Sequence, residues 1–159
     1  MSKISPLAFI DPEAKIGENC EIGPFCFIDK NVEIGDNNVL MNSVSVLYGA
    51  RIGNGNVIFP GAVISAVPQD LKFQGEDTTA EVGDNNKIRE NVTINRGTAA
   101  KGKTCVGSGN LLMESVHVAH DAFVGNDCII GNGTKLAGEI IIDDHAIISA
   151  NVLMHQFCR

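Results

Sequence analysis

The chain has 159 residues and a formal net charge of −7, and its apolar content includes only seven Phe, one Tyr and no Trp. That length suits one domain, and the acidic balance argues against a protein that covers nucleic acid with a basic face. No apolar stretch approaches the ~18 residues that a membrane span requires, and a core so poor in aromatics is expected to be narrow and aliphatic.

The first residues, MSKISPLAFIDPEAKIG, lack the apolar run of a secretion signal, so a cytoplasmic, reducing location is expected. From Ile4 the chain divides into hexads: ISPLAF, IDPEAK, IGENCE, IGPFCF, IDKNVE, IGDNNV, LMNSVS, VLYGAR, IGNGNV and IFPGAV. A polar insertion follows at about 66–81, AVPQDLKFQGEDTTAE. The repeat resumes as VGDNNK, IRENVT and INRGTA, and a second insertion at about 97–105 carries Lys101 and Lys103. It then runs from VGSGNL through LMESVH, VAHDAF, VGNDCI, IGNGTK, LAGEII, IDDHAI and ISANVL to MHQFCR.

Of the 26 positions spaced by six between 4 and 154, 23 are Ile, Leu, Val or Met; Asp70, Glu76 and Ala100 are the exceptions. A period of six matches neither an amphipathic helix nor simple strand alternation, and reads as a solenoid with one short strand and one corner per hexad. The aliphatic residue points inward. Gly often follows it (17, 23, 35, 53, 83, 107, 125, 131), which is read as a corner device. Four residues after the aliphatic comes a second, usually small, inward site. Cys20, Cys26, Cys128 and Cys158 occupy it and read as buried thiols; Cys105 does not. Insertions in a solenoid project from corners, and binding groups concentrate on loops held by rigid scaffolds. The first loop therefore reads as functional, and the second is open between function and surface decoration.

The repeat resembles the hexapeptide-repeat acyltransferase superfamily. That resemblance implies a left-handed parallel β-helix of triangular section, one all-β domain over 1–159 with three hexads per coil and about eight coils. Residues 18 apart then stack, so His120, Gly138 and Gln156 share one column and Asp121 lies under Glu139. His117 precedes His120 by three residues and His155 adjoins Gln156, whereas His145 falls in another register. Clustered imidazoles and carboxylates suit acid–base chemistry, although a lone corner histidine is usually just solvated.

Further motifs narrow the resemblance. VPQDLKFQGE, KIRENVTINRGT, GNLLMESVHVAHD and MHQFC are similar to the acyl-carrier-protein–UDP-N-acetylglucosamine O-acyltransferase family, which opens lipid A synthesis, and the similarity covers essentially the whole chain. It implies His120 as general base towards the sugar 3-hydroxyl, Asp121 as its orienting partner, and the Gly138 N–H as oxyanion donor. It implies sugar-nucleotide contacts for Gln69, Asp70 and Lys72, and further substrate contacts for His117, His155, Gln156 and Glu139. The substrates implied are UDP-N-acetylglucosamine and a (3-hydroxy)acyl chain on acyl carrier protein, carried by its phosphopantetheine, with no cofactor of the enzyme's own and no metal. A homotrimer with sites between subunits is also implied; outward apolar residues such as Phe25, Phe27, Val39, Val57 and Phe123 are compatible with it. Glu139 and Asn95 stand where the family commonly has His.

Three other readings compete. A zinc enzyme of the γ-carbonic-anhydrase kind would use His117, His120 and a third His across a subunit boundary. The sister N-acyltransferase usually carries an extra N-terminal domain. A non-catalytic solenoid would have no use for the His120 column. The repeat stops at Arg159 without a cap, whereas the family's chains run on by about another hundred residues into a helical domain. A truncated chain is expected, one that folds and trimerises but turns over weakly.

Overall fold

The computed structural model describes residues 1–159 as a coil of 23 short strands without a helix. Most strands are two residues long, an outward residue followed by the inward aliphatic, as in Glu21–Ile22, Phe27–Ile28 and Glu33–Ile34. Each strand pairs in parallel with the strand one coil away, giving three sheets of eight, eight and seven strands. The sheets are the faces of a left-handed parallel β-helix. Ile4, Ile22 and Leu40 stack in steps of one coil, as the hexads require.

Thirty buried apolar residues form one continuous core, among them Ile28, Leu40, Ile58, Ile64, Ile88, Ile94, Leu112, Ile130 and Leu136. Each such side chain contributes roughly 1.5–3 kcal/mol by leaving water. Cys20, Cys26 and Cys128 are buried among them, but Cys158 is exposed. Its inward register does not bury it, because it lies in the last turn with no coil above it.

The small inward site also takes amides. Asn38, Asn56, Asn86 and Asn110 stack in the interior, fully or almost fully buried. The backbone N–H of each upper residue donates to Oδ1 of the residue below at 2.8–2.9 Å. Each Nδ2 donates to a glycine carbonyl of the coil above at 2.8–2.9 Å. Buried amides persist because every coil satisfies the next.

The glycines after the aliphatic residue turn out not to be corner devices. No left-handed φ occurs at Gly17, Gly35, Gly53, Gly83 or Gly107, but a Cβ at Gly17 would meet Asp36 Oδ1 at 2.3 Å and the Gly35 carbonyl carbon at 2.6 Å. These glycines allow close stacking of coils. The left-handed conformation instead falls two residues later, at Asn19, Asn31, Asn37, Asn85, Asn91, Asp121 and Asp127 among others. Asn and Asp tolerate that region better than other side chains.

Both insertions leave the helix at one edge. The first joins Val63–Ala66 to Thr79–Val82, and the second joins Thr93–Asn95 to Lys103–Val106, in each case from the second face to the third. Ala66 and residues 79–81 of the first expected insertion, and residues 103–105 of the second, are thus strand. In the coil above, the same edge is turned by Ala119, His120 and Asp121, between His117–Val118 and Phe123–Val124.

Candidate active site

The second face presents Thr93, His117, Lys135 and Leu153 outward in one column. At its edge the corner places His120 Nδ1 2.8 Å from Asp121 Oδ2. The His120 side chain is 12 % exposed and that of Asp121 is fully buried. Asp121 is a corner residue with φ 61°, which turns its carboxylate inwards beneath the second loop.

That carboxylate is well held. Thr98 N–H donates to Oδ1 at 3.0 Å and the Thr98 hydroxyl donates to Oδ2 at 2.6 Å. The Asp121 backbone N–H donates to Thr104 Oγ1 at 2.8 Å. Burial works against the charge, but the bonds from Thr98 and His120 outweigh it and hold the carboxyl below its ordinary range. An ionised Asp121 accepts the Nδ1–H of His120, leaving Nε2 as the free, basic nitrogen.

His120 Nε2 faces two features. Asp70 Oδ2 of the first loop lies 3.9 Å away, and Gly138 packs directly against the ring. The Gly138 N–H donates to no acceptor within the chain. His117 Nδ1 lies 2.7 Å from Thr93 Oγ1. Burial, then Lys135 and His120, lower its pKa from the ordinary value.

Two depressions adjoin this corner. A groove of about 340 Å³ is lined by Gln69, His117, His120, Lys135 and Gly138 among others. A pocket of about 400 Å³ collects Asp70, Lys72, Thr98, Glu139 and Gln156 with Glu76 and Phe157. The structure thus gathers nine of the ten residues named from sequence around one edge. His155 is the outlier: it is exposed, lines neither depression, and has Nδ1 3.2 Å from the Gln156 carbonyl oxygen. No three His, Cys, Asp or Glu side chains converge where a metal ion could be held.

Several participants escape the periodic reading. Thr98 and Thr104 hold Asp121, Thr93 meets His117, and Lys135 lines the groove. Arg96 is sandwiched between Tyr48 and Phe73, its guanidinium carbon 5.1 and 5.3 Å from the two ring centroids. Asn95 Nδ2 donates to the Val67 carbonyl at 2.8 Å. Together they tie the first loop to the helix. The signal for Thr93, Asn95, Arg96 and Thr98 was the stretch TINRGT, read only as a motif; Thr104 and Lys135 lie outside it.

Comparison with known proteins places this geometry. No family model matches the chain. A curated acyl-[acyl-carrier-protein]–UDP-N-acetylglucosamine O-acyltransferase from Aliarcobacter butzleri is 46 % identical over 160 residues, covering all of this chain and 62 % of the relative. The crystal structure of a UDP-N-acetylglucosamine acyltransferase from Bacteroides fragilis superposes with a TM-score of 0.96 at 75 % identity, over 98 % of this chain and 61 % of that one. An Acinetobacter baumannii structure gives 0.95 at 43 % identity, over 98 % and 60 %. The chain therefore spans about three fifths of the length of these relatives, both loops included. Over its whole length the chain is similar to acyl-[acyl-carrier-protein]–UDP-N-acetylglucosamine O-acyltransferases.

Proposed function

We propose that this chain carries the acyl-transfer centre of its family, moving a (3-hydroxy)acyl group from acyl carrier protein to the 3-hydroxyl of UDP-N-acetylglucosamine, the first step of lipid A synthesis. The observation that carries this reading is the buried Asp121–His120 pair, with Nε2 open to a groove beside the Gly138 N–H. His120 Nε2 takes the proton of the sugar 3-hydroxyl as its oxygen attacks the thioester carbonyl. A C–O bond forms, and the negative charge moves to the carbonyl oxygen of a tetrahedral intermediate. The Gly138 N–H donates to that oxygen. Collapse breaks the C–S bond, and the phosphopantetheine thiolate of the carrier leaves with the proton from His120.

Lys72, Gln69 and Asp70 of the first loop hold the sugar nucleotide, with the Lys72 ammonium set against phosphate. His117, Glu139, His155 and Gln156 are further substrate contacts. The acyl donor brings its own phosphopantetheine, and the enzyme adds no cofactor. The working assembly is a homotrimer in the cytoplasm; no helix of the chain is long and apolar enough to cross a membrane.

The test is incubation of the 159-residue chain with UDP-N-acetylglucosamine and 3-hydroxyacyl carrier protein, following the acylated sugar nucleotide. Transfer above background, abolished in His120→Ala, is expected. Equal transfer by His120→Ala and the parent, or none by the parent, overturns the reading.

A further inference from the structure

The sequence leaves the second loop open between function and surface decoration, yet the structure binds it tightly at its base. Gly97 N–H donates to the Thr79 carbonyl at 3.0 Å, and Thr79 N–H donates to the Gly102 carbonyl at 3.0 Å. Thr78 Oγ1 donates to the Gly97 carbonyl. Gly102 N–H closes the loop onto the Thr98 carbonyl at 2.7 Å. A Cβ on Gly97 would stand 2.2 Å from Lys103 N, so the chain crosses itself at the narrowest approach that a glycine allows. These bonds place Thr98, 7 % exposed, directly over Asp121.

The direction of the Thr98 hydroxyl is settled by its neighbours. Ala100 N–H donates to Thr98 Oγ1 at 3.2 Å, which occupies one of the oxygen's lone pairs and turns its own hydrogen to Asp121 Oδ2. Oδ2 therefore receives two hydrogens, from Thr98 and from His120 Nδ1, while Oδ1 receives the Thr98 N–H. One residue thus grips both oxygens of the carboxylate. The carboxylate cannot rotate without breaking the Thr98 bonds, so its lone pair stays on the imidazole.

Resting on the acyl-transfer reading for its role in turnover, we propose that Thr98 is a positioning residue of this site: its hydroxyl and N–H lock the Asp121 carboxylate, and through it the orientation and tautomer of His120. The second loop is then part of the catalytic apparatus. It touches no reacting atom, and it acts through the two residues beneath it.

The charged surroundings of Asp121 are few. His120 lies on its own corner, and Lys101 of the loop donates from Nζ to the Asp121 backbone carbonyl at 3.3 Å. Lys103 and Cys105 share a pocket with it on the third face, and Asp70 stands 3.9 Å beyond the imidazole. None of these replaces the hydroxyl on Oδ2.

The test compares Thr98→Val, Thr98→Ala and Thr98→Ser with the parent in the full 159-residue chain. The Asp121 carboxyl is titrated by carbon NMR and the His120 tautomer is read from its nitrogen shifts. Loss of a hydrogen bond to a charged acceptor should raise the Asp121 midpoint by about one pH unit in Val and Ala, with Ser returning to the parent value. The share of Nδ1–H tautomer should fall in parallel. In the transfer assay kcat should drop about tenfold, the loss falling on kcat more than on KM because Thr98 acts through the Asp121–His120 pair. Thr98→Ala guards against misfolding of the Val variant, and a residue that only stabilised the loop would leave the carboxyl titration unmoved. An unshifted midpoint in the folded Val or Ala variant overturns the proposal, as does a Ser variant displaced as far as Ala. The NMR readouts need no turnover, so an inactive parent counts against acyl transfer and not against the Thr98 contact.

Discussion

The imidazole of His120 rests on the backbone of Gly138: a Cβ at residue 138 would lie 2.7 Å from its Cε1 and 2.8 Å from its Nε2. No flexible neighbour can yield there, because the ring is itself fixed by Asp121. Gly138→Ala must push the imidazole aside. A displacement of this size at a catalytic group costs about 100-fold in rate. The predicted outcome is a fall in kcat of that order while the urea midpoint changes little. A Gly138→Ala chain with parental kcat would show that the contact has no bearing on turnover.

Asp121→Asn keeps the shape of the pair and changes its hydrogen bonding. An amide cannot accept from His120 and Thr98 as the carboxylate does, so the imidazole loses its defined tautomer. Transfer should fall by roughly three to four orders of magnitude, the scale seen when the aspartate of a histidine pair is neutralised.

The same carboxylate also makes stability depend on pH. Its folded pKa lies below the ordinary 3.8. The contribution is therefore complete above the unfolded titration range and is lost as pH falls through the folded value. Urea unfolding from pH 7 to pH 3 should show a steeper acid loss in the parent than in Asp121→Asn. The variant should be the less stable of the two at pH 7. Parallel curves would remove Asp121 from the acid response.

His117 is predicted to titrate below 6.5, because burial and then the positive Lys135 disfavour its charged form. Lys135→Ala should move its midpoint part of the way back up in a proton–carbon NMR titration. With a depressed folded pKa, the neutral ring supports the fold above the unfolded pKa, and that support is lost as pH falls through the folded value. A midpoint at or above 6.5 in the parent would contradict this.

The asparagine stack is the fifth test. In Asn56→Ala, the N–H and Nδ2 of Asn86 lose their acceptor, and the Gly83 carbonyl loses a donor. Buried groups left unpaired cost about 1–3 kcal/mol each, so a loss of about 3 kcal/mol is expected in urea denaturation. Asn56→Leu, which fills the space without restoring the bonds, should do no better than the alanine variant.

Much of the site was legible because the upper coils contain no insertion. From Val106 onward each coil is 18 residues, so stepping from His120 to Gly138 lands on the residue packed against the ring. Across the two insertions the arithmetic fails. Ile88 stands thirty positions from its partner Ile58, and Thr93 pairs with His117 at a separation of 24. Thr98 reaches Asp121 across 23 residues, a spacing that no repeat predicts. The glycine column misled for a related reason. Local sequence marks Gly17 or Gly35 as permissive, but the pressure on them comes from the next coil.

What the chain determined by itself was its period: an inward aliphatic every six residues commits each hexad to a strand and a corner, since only a stacked coil buries every one of them. From that period came the core, the three buried cysteines, and the column holding His120 and Gly138. Only the tertiary structure decided that both insertions leave one edge, and that the second closes over Asp121 to pin the carboxylate behind His120. Loop conformation follows from hydrogen bonds to backbone far away in the chain, and such contacts leave no periodic trace in the residues that make them.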